Sequence, residues 1–159
     1  MMKRHVGTAV AVAVLLLSAS DAFAQKTEGN PLAVIKTLKC RFPVYSVASW
    51  KGGEPQAQVK QGQQFSLEID EIDAEGGTGR VTGTGGPVHV TALLTVSSLH
   101  FMERTVTGTL NITTVFAPEG ASLTLRAVHA RHDYLPMSIP GFVSEPSVSQ
   151  SYGLCDATR

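Results

Sequence analysis

Apolar and polar residues alternate with a period of two along much of this chain, and that pattern limits the folds it can adopt. Residues 88–96 are the clearest case, since every even-numbered position there is Val, Ala or Leu. Successive side chains on a β-strand point to opposite faces, so each such run predicts a strand with one apolar face. Turn residues separate the runs at intervals of roughly 8 to 12 residues, which is typical of β-sandwiches and β-barrels.

Eight strands follow from the alternation and the turn signals. They are predicted at residues 35–48, 64–73, 79–84, 88–96, 99–104, 108–116, 122–132 and 149–155. Pro43 predicts a break or bulge in the first strand, because proline has no N–H to donate to a neighbouring strand. In the sixth strand we expect Leu110, Ile112 and Phe116 on the side that faces the core.

Short turns between consecutive strands predict an antiparallel meander. Such a sheet has two exposed edges unless it closes, and closure into an up-and-down barrel removes both. We therefore predict an all-β protein, an antiparallel up-and-down β-barrel of 7–8 strands, with a two-sheet β-sandwich as the alternative. By strand count the architecture resembles that of lipocalins. Lipocalins usually carry a Gly-x-Trp motif at the first strand, whereas Trp50 here follows Val-Ala-Ser.

The N-terminus has the three parts of a secretory signal peptide. Lys3 and Arg4 form a basic start, residues 6–17 are uncharged and mostly apolar, and the Ala-Phe-Ala that ends at Ala24 fits the small-x-small rule for cleavage. The apolar run is shorter than the ~20 residues that a membrane-spanning helix needs; an uncut N-terminal anchor is the alternative. The predicted organisation is a signal peptide at 1–24, a flexible N-terminal arm at 25–34 and a single β-barrel domain at 35–159, in the bacterial periplasm or medium.

Composition bears mainly on partners. Without the signal peptide the chain loses two of its 13 basic residues and one of its 13 acidic residues, which leaves it close to neutral. A neutral protein has no electrostatic footprint for nucleic acid or anionic lipid, so we expect neither partner. We also expect a monomer. The acidic cluster at Glu68 to Glu75 lacks the glycine and the ligand spacing of a calcium loop, and we predict no metal and no cofactor.

Two cysteines, Cys40 and Cys155, lie near the two ends of the predicted barrel domain. An even number of cysteines in an exported protein indicates a disulfide, with two free thiols as the alternative. The bond would close a loop of about 115 residues, for which the chain-entropy model gives ~4–5 kcal/mol. It would also join the first strand to the last, which supports a closed barrel.

The stretch from Arg126 to Tyr134 (RAVHARHDY) has the densest mixture of chemically active side chains. His129 and His132 are three residues apart, so on a strand they point to opposite faces and cannot share a metal without a bulge. His129 and Arg131 share the face predicted to point inward. With turns centred at residues 105–106 and 119–120, Gly108 would lie between Glu103 and Arg131 on that face.

We therefore predict an inward ion pair between Glu103 and Arg131, because a buried charge requires a partner, with His129 one layer deeper. Converging polar groups in an apolar cavity are typical of small-molecule sites, and we expect these three residues to line a pocket for a small apolar or amphiphilic ligand. A structural or interaction protein with a filled barrel, acting through loops such as 134–142, is the alternative. A hydrolase or isomerase that uses His129 with Glu103 or Arg131 is less favoured, because no nucleophile is identifiable and no catalytic residue is predicted.

Three motifs carry a resemblance to a known group. NITTVF (residues 111–116), RAVHARH (126–132) and SQSYGLC (149–155), in this order, resemble a group of small exported bacterial β-rich proteins of unknown function. The similarity covers mainly residues 99–155. It implies a location in the bacterial envelope or medium and no known activity.

Overall fold

A computed structural model describes residues 29–51, 53–134 and 145–159. Every element of regular secondary structure in these residues is a β-strand. The eight strands are β1 (Thr37–Lys51), β2 (Glu54–Asp73), β3 (Thr78–Gly83), β4 (Gly86–Leu94), β5 (Ser98–Arg104), β6 (Leu110–Phe116), β7 (Thr124–Asp133) and β8 (Ser147–Thr158). All eight predicted strands are present. The predicted signal peptide at 1–24 lies outside the described residues.

The strands form one closed antiparallel barrel. Each strand pairs with the next along the chain, and β8 pairs with β1 to complete the ring. The predicted up-and-down barrel is therefore confirmed, and the two-sheet sandwich is excluded. Closure pairs both edges of the meander, which is the main physical advantage of this architecture for a single sheet.

A disulfide lies at the seam between β1 and β8. Cys40 and Cys155 are direct cross-strand partners, both are buried, and they form the predicted bond. The pairing of β1 with β8 shifts between Arg41 and Val44, so the predicted irregularity at Pro43 is also confirmed. Gly153 of β8 packs against this bulge, where an added Cβ would lie 2.8 Å from Cα of Phe42 and collide with the carbonyl oxygen of Arg41.

One end of the barrel, which we call the packed end, is filled with apolar side chains. It is the end at which β1 begins and β8 finishes. The buried residues there come from nearly every strand and include Leu38, Ile69, Ile72, Ala92, Leu99, Phe101, Val115, Leu125 and Ala157. Gly79 of β3 provides space for the ring of Phe101, since an added Cβ would approach that ring to 3.4 Å.

The turn before β1 covers the packed end. Leu32 is completely buried, and Ile35 is nearly so. The side chain of Asn30 holds the turn in place, because it donates to the carbonyl oxygen of Thr95 (2.8 Å) and accepts from the N–H of Leu32 (2.9 Å). Residues 29–34 are the described part of the predicted arm, and they pack on the barrel through Leu32. This leucine lies outside every predicted strand.

The hairpin of β1 and β2 extends well beyond the neighbouring strand β3. β2 begins at Glu54, ten residues before its predicted start, and it pairs with β1 along residues 54–61. β2 pairs with β3 only from Glu68 onward. Residues 54–63 are rich in glutamine and lack alternating large apolar side chains, so the alternation pattern contains no strand signal there.

Gly153→Ala should destabilise the barrel by about 1–3 kcal/mol, because the new methyl group forces β8 away from the bulge in β1. Gly85→Ala is the matched control, since nothing lies within 4 Å of a Cβ added there. Denaturant unfolding of both variants measures the difference. Equal stability of the two variants would contradict this account of the seam.

Replacement of both cysteines by alanine should lower the free energy of unfolding by roughly 4 kcal/mol, because the unfolded chain regains the freedom of a 115-residue loop. Denaturant unfolding under non-reducing conditions measures this loss. Addition of a reductant should destabilise the original protein by a similar amount and leave the double variant unchanged.

Candidate functional site

The barrel interior changes from apolar to polar along its axis. On β7 the inward positions Leu125 and Ala127 are buried, and the next inward positions are His129, Arg131 and Asp133. Their partners on β8 are three serines: Ser151, Ser149 and Ser147. The end of the barrel opposite the packed end, which we call the open end, is therefore lined by side chains that can form hydrogen bonds.

The bulge at Pro43 brings β1 into the same site. Before the bulge the even-numbered residues Leu38, Cys40 and Phe42 are buried in the interior. After it the alternation is reversed, and Tyr45 becomes the cross-strand partner of Ser151. One extra residue in a strand exchanges the two faces, so the bulge directs a tyrosine to the site.

These residues surround a cleft of about 460 Å³ at the open end. Its lining combines aromatic rings, hydroxyl groups and one guanidinium. The lining residues are Tyr45, Phe65, Ser66, Thr84, His129, Arg131, Ser149 and Ser151. We call this the end cleft. Its size falls in the range of ligand pockets, and its surface is suited to a molecule with both an apolar and a polar part.

His129 lies at the boundary between the packed core and the end cleft. Its ring lies 4.9 Å from the ring of Phe65 and 6.0 Å from that of Phe42, centroid to centroid. A hydrogen bond of 2.9 Å joins Nδ1 to Oγ1 of the buried Thr113. Burial lowers the pKa of His129 below its ordinary value, an effect that nearby Glu103 opposes and Arg131 reinforces. The imidazole is therefore neutral at pH 7.

The predicted ion pair between Glu103 and Arg131 is wrong. Asn111 lies between them in the strand register, and its Nδ2 donates to Oε2 of Glu103 at 3.0 Å. Arg131 instead donates to Oδ2 of Asp133 at 2.9 Å. Each charged side chain thus finds a nearer partner, and both remain near the open end one layer beyond His129.

The register of β6 explains this difference. The turn between β5 and β6 extends from Thr105 to Thr109, where the N–H of Thr105 donates to the carbonyl oxygen of Thr109 (2.9 Å) and Gly108 has a positive φ of 91°. Gly108 is therefore in the turn, and the register differs from the predicted one by three residues. An odd shift inverts a strand. Thr113 and Val115 are buried, whereas Leu110 and Phe116, predicted to face the core, are 37% and 41% exposed.

Three residues of this polar network did not appear among the predicted site residues: Thr109, Asn111 and Asp133. Oδ1 of Asp133 accepts a hydrogen bond of 3.0 Å from Oγ1 of Thr109, and this bond together with that from Arg131 lowers the pKa of the carboxyl group. The signal for Asp133 was present, since it continues the inward parity of His129 and Arg131. Asn111 could not be predicted as a site residue, because the face to which it points depends on the length of the turn between β5 and β6.

The acidic cluster at Glu68 to Glu75 takes part in ion pairs on the outer surface. Arg80 of β3 donates to both carboxylate oxygens of Asp70 at 2.8 Å and lies 2.9 Å from Glu71. The hydrogen bonds from Arg80 lower the pKa of Asp70. Among residues 29–51, 53–134 and 145–159, no three His, Cys, Asp or Glu side chains are grouped as metal ligands.

A wider depression of about 670 Å³ lies on the outer surface across β8, β1, β2 and β3. Its charged lining residues already neutralise one another, since Lys39 pairs with Glu68 (3.6 Å) and Arg41 with Asp156 (3.4 Å). It is shallow and faces solvent, and the end cleft remains the better candidate site.

In the described part of the chain there is also no helix with the length and apolar character needed to cross a bilayer.

In comparisons with known proteins, no family model and no curated protein matches this chain. The resemblance of residues 99–155 to small exported bacterial proteins therefore stays a prediction.

The stability of the protein should decrease as the pH falls below about 6.5, the ordinary pKa of histidine, because the unfolded chain takes up a proton on His129 before the folded chain does. His129→Gln should make this part of the pH dependence shallower. His89→Gln, at an exposed position, is the control and should leave it unchanged. Denaturant unfolding between about pH 7.5 and 5 provides the measurement, and identical pH profiles for the original protein and His129→Gln would contradict the assignment.

Proposed function

We propose that this chain is an exported binding protein that holds a small amphiphilic molecule in the end cleft. The observation that carries the proposal is a barrel that is filled at one end and at the other has a solvent-open cleft of about 460 Å³ between aromatic and hydroxyl side chains. A barrel with a purely structural role would be expected to fill its interior with side chains, as the packed end does.

The lining favours one orientation of the ligand. Phe65 and His129 present rings at the apolar end of the end cleft, where a planar or aliphatic group can pack. Ser149, Ser151 and Tyr45 supply hydroxyl groups that can donate or accept hydrogen bonds. The apolar part of the ligand would thus lie against the rings and its polar part towards solvent.

The ionic character of the lining argues against a highly charged ligand. Arg131 forms an ion pair with Asp133 at 2.9 Å, and Glu103 lies beside His129. Neutral imidazole at pH 7 adds a hydrogen-bonding group without adding charge. We therefore propose a neutral or singly charged amphiphile rather than a phosphorylated or multiply charged molecule.

The bacterial periplasm or extracellular medium is the proposed location. The disulfide is compatible with an oxidising compartment, and the signal-peptide pattern of residues 1–24 agrees with export. The resemblance over residues 99–155 points the same way.

The alternatives have less support. Almost all of the proposed interaction loop, residues 135–142, lies outside the described residues. A hydrolase with a covalent intermediate would need a nucleophile held by a base, and among the described residues His129 bonds to the buried Thr113 and to no serine. Binding without catalysis is therefore the function we propose.

Anilinonaphthalene sulfonate, a fluorescent amphiphile with one charge, is a suitable probe for the end cleft. We expect saturable binding to the folded protein, and Ser151→Leu should weaken it about tenfold or more because the larger side chain fills the floor beside His129. Ser97→Leu, in the exposed turn at the packed end, adds the same apolar group as a control and should leave binding unchanged. Equal affinity of the two variants for the probe would contradict the proposed site.

A further inference from the structure

The first part of β2 has a neighbouring strand on one side only. Residues 54–61 pair with β1, and β3 pairs with β2 no earlier than Glu68. In the part of the chain that the structure describes, no strand adjoins the other side of residues 54–61, and these residues are exposed. We call this segment the open edge. An unpaired strand edge is a template for another strand, because its N–H and C=O groups lack partners.

The open edge carries three residues that usually discourage pairing, Glu54, Pro55 and Lys60. It is nevertheless eight residues long and continuous, with no bulge in its pairing to β1. Pro55 has no N–H to give to β1, so we place its nitrogen on the open side, the position that proline tolerates in an edge strand. With the period of two, the N–H groups of Ala57 and Val59 then also point to the open side.

The sequence of the open edge is complementary to itself in the antiparallel direction. When Ala57 is placed opposite Ala57 of a second copy, Glu54 lies opposite Lys60 at both ends of the paired segment. In the same register Pro55 lies opposite Val59, and Gln56 lies opposite Gln58. Unlike charges, apolar side chains and amides therefore meet compatible side chains across the axis, while Pro55 leaves the carbonyl oxygen of the opposite Val59 without an N–H donor at each end.

This register also agrees with the faces of the hairpin. Gln56, Gln58 and Lys60 pair with the β1 residues whose parity is that of Tyr45, while Ala57 and Val59 pair with Ala48 and Ser46 on the outer side. Val59 is 73% exposed. Pairing with a second copy would join the two outer apolar rows into one and would end at Lys60, before the β3 contact begins at Glu68.

We infer that two copies of this chain associate through antiparallel pairing of their β2 open edges about a two-fold axis at Ala57. The expectation of a monomer did not include this segment, because its strand character was absent from the sequence pattern. Each copy contributes the same surface, as a two-fold interface requires. The inference is independent of the ligand proposed for the end cleft.

Charge exchange tests the register. The chain from which the predicted signal peptide has been removed should form dimers. Sedimentation-velocity ultracentrifugation over a range of concentrations measures this. Lys60→Glu should raise the dimer dissociation constant about tenfold or more, because two carboxylates then face each other at both ends of the paired segment. Glu54→Lys should do the same by opposing two ammonium groups, and the double variant should return to within about threefold of the original value.

Two further measurements locate the contact. Lys36→Glu makes the same change of charge at an exposed residue outside the open edge and should leave dimerisation unchanged. Hydrogen exchange at the amides of Ala57 and Val59 should slow as the protein concentration rises. A monomer at every concentration would overturn the inference, and so would a dimer that responds equally to Lys36→Glu and Lys60→Glu or that the double variant fails to restore.

Discussion

The pairing of β1 with β8 is the constraint on which the rest of this structure depends. Without it the sheet would have two unpaired edges and no enclosed interior. The seam contains three features within a few residues: the disulfide between Cys40 and Cys155, the bulge at Pro43 and the close approach of Gly153 to Arg41. A covalent bond and a close backbone contact thus fix the two strands that are farthest apart in the sequence.

The same bulge gives the barrel its two different ends. Up to Phe42 the inward residues of β1 belong to the apolar core, and after the change of parity Tyr45 faces the serines of β8. The packed end has the burial that stabilises a small domain, while the open end has hydrogen-bonding groups and space. His129 belongs to both, since its ring contacts the core aromatics and its burial keeps the imidazole neutral at the edge of the end cleft.

Alternation within strands was readable from the sequence, and relations between strands were less so. β4, β5 and β7 have the predicted inward faces, where Val90, Ala92, Leu99, Phe101, Leu125 and Ala127 are buried. β6 is inverted because both of its faces carry apolar residues, so the length of the turn at Gly108 determined its orientation. The registers of β5 with β6 and of β6 with β7 each differ from the predicted ones by three residues, and the two differences cancel. Arg131 therefore still points inward, although its partner is Asp133 rather than Glu103. Side-chain partners depend on distances of a few ångströms that no periodic pattern encodes.

The β1–β2 hairpin connects the two proposals through one element. Tyr45 and Phe65 line the end cleft from this hairpin, and Lys60 of the open edge is the direct cross-strand partner of Tyr45. In this hairpin β1 pairs with β8 as far as Ser49, whereas residues 54–61 of β2 have β1 as their neighbour on one side and no described strand on the other. In the proposed dimer a second copy would supply the missing neighbour of β2, whose Lys60 is the cross-strand partner of Tyr45 in the end cleft.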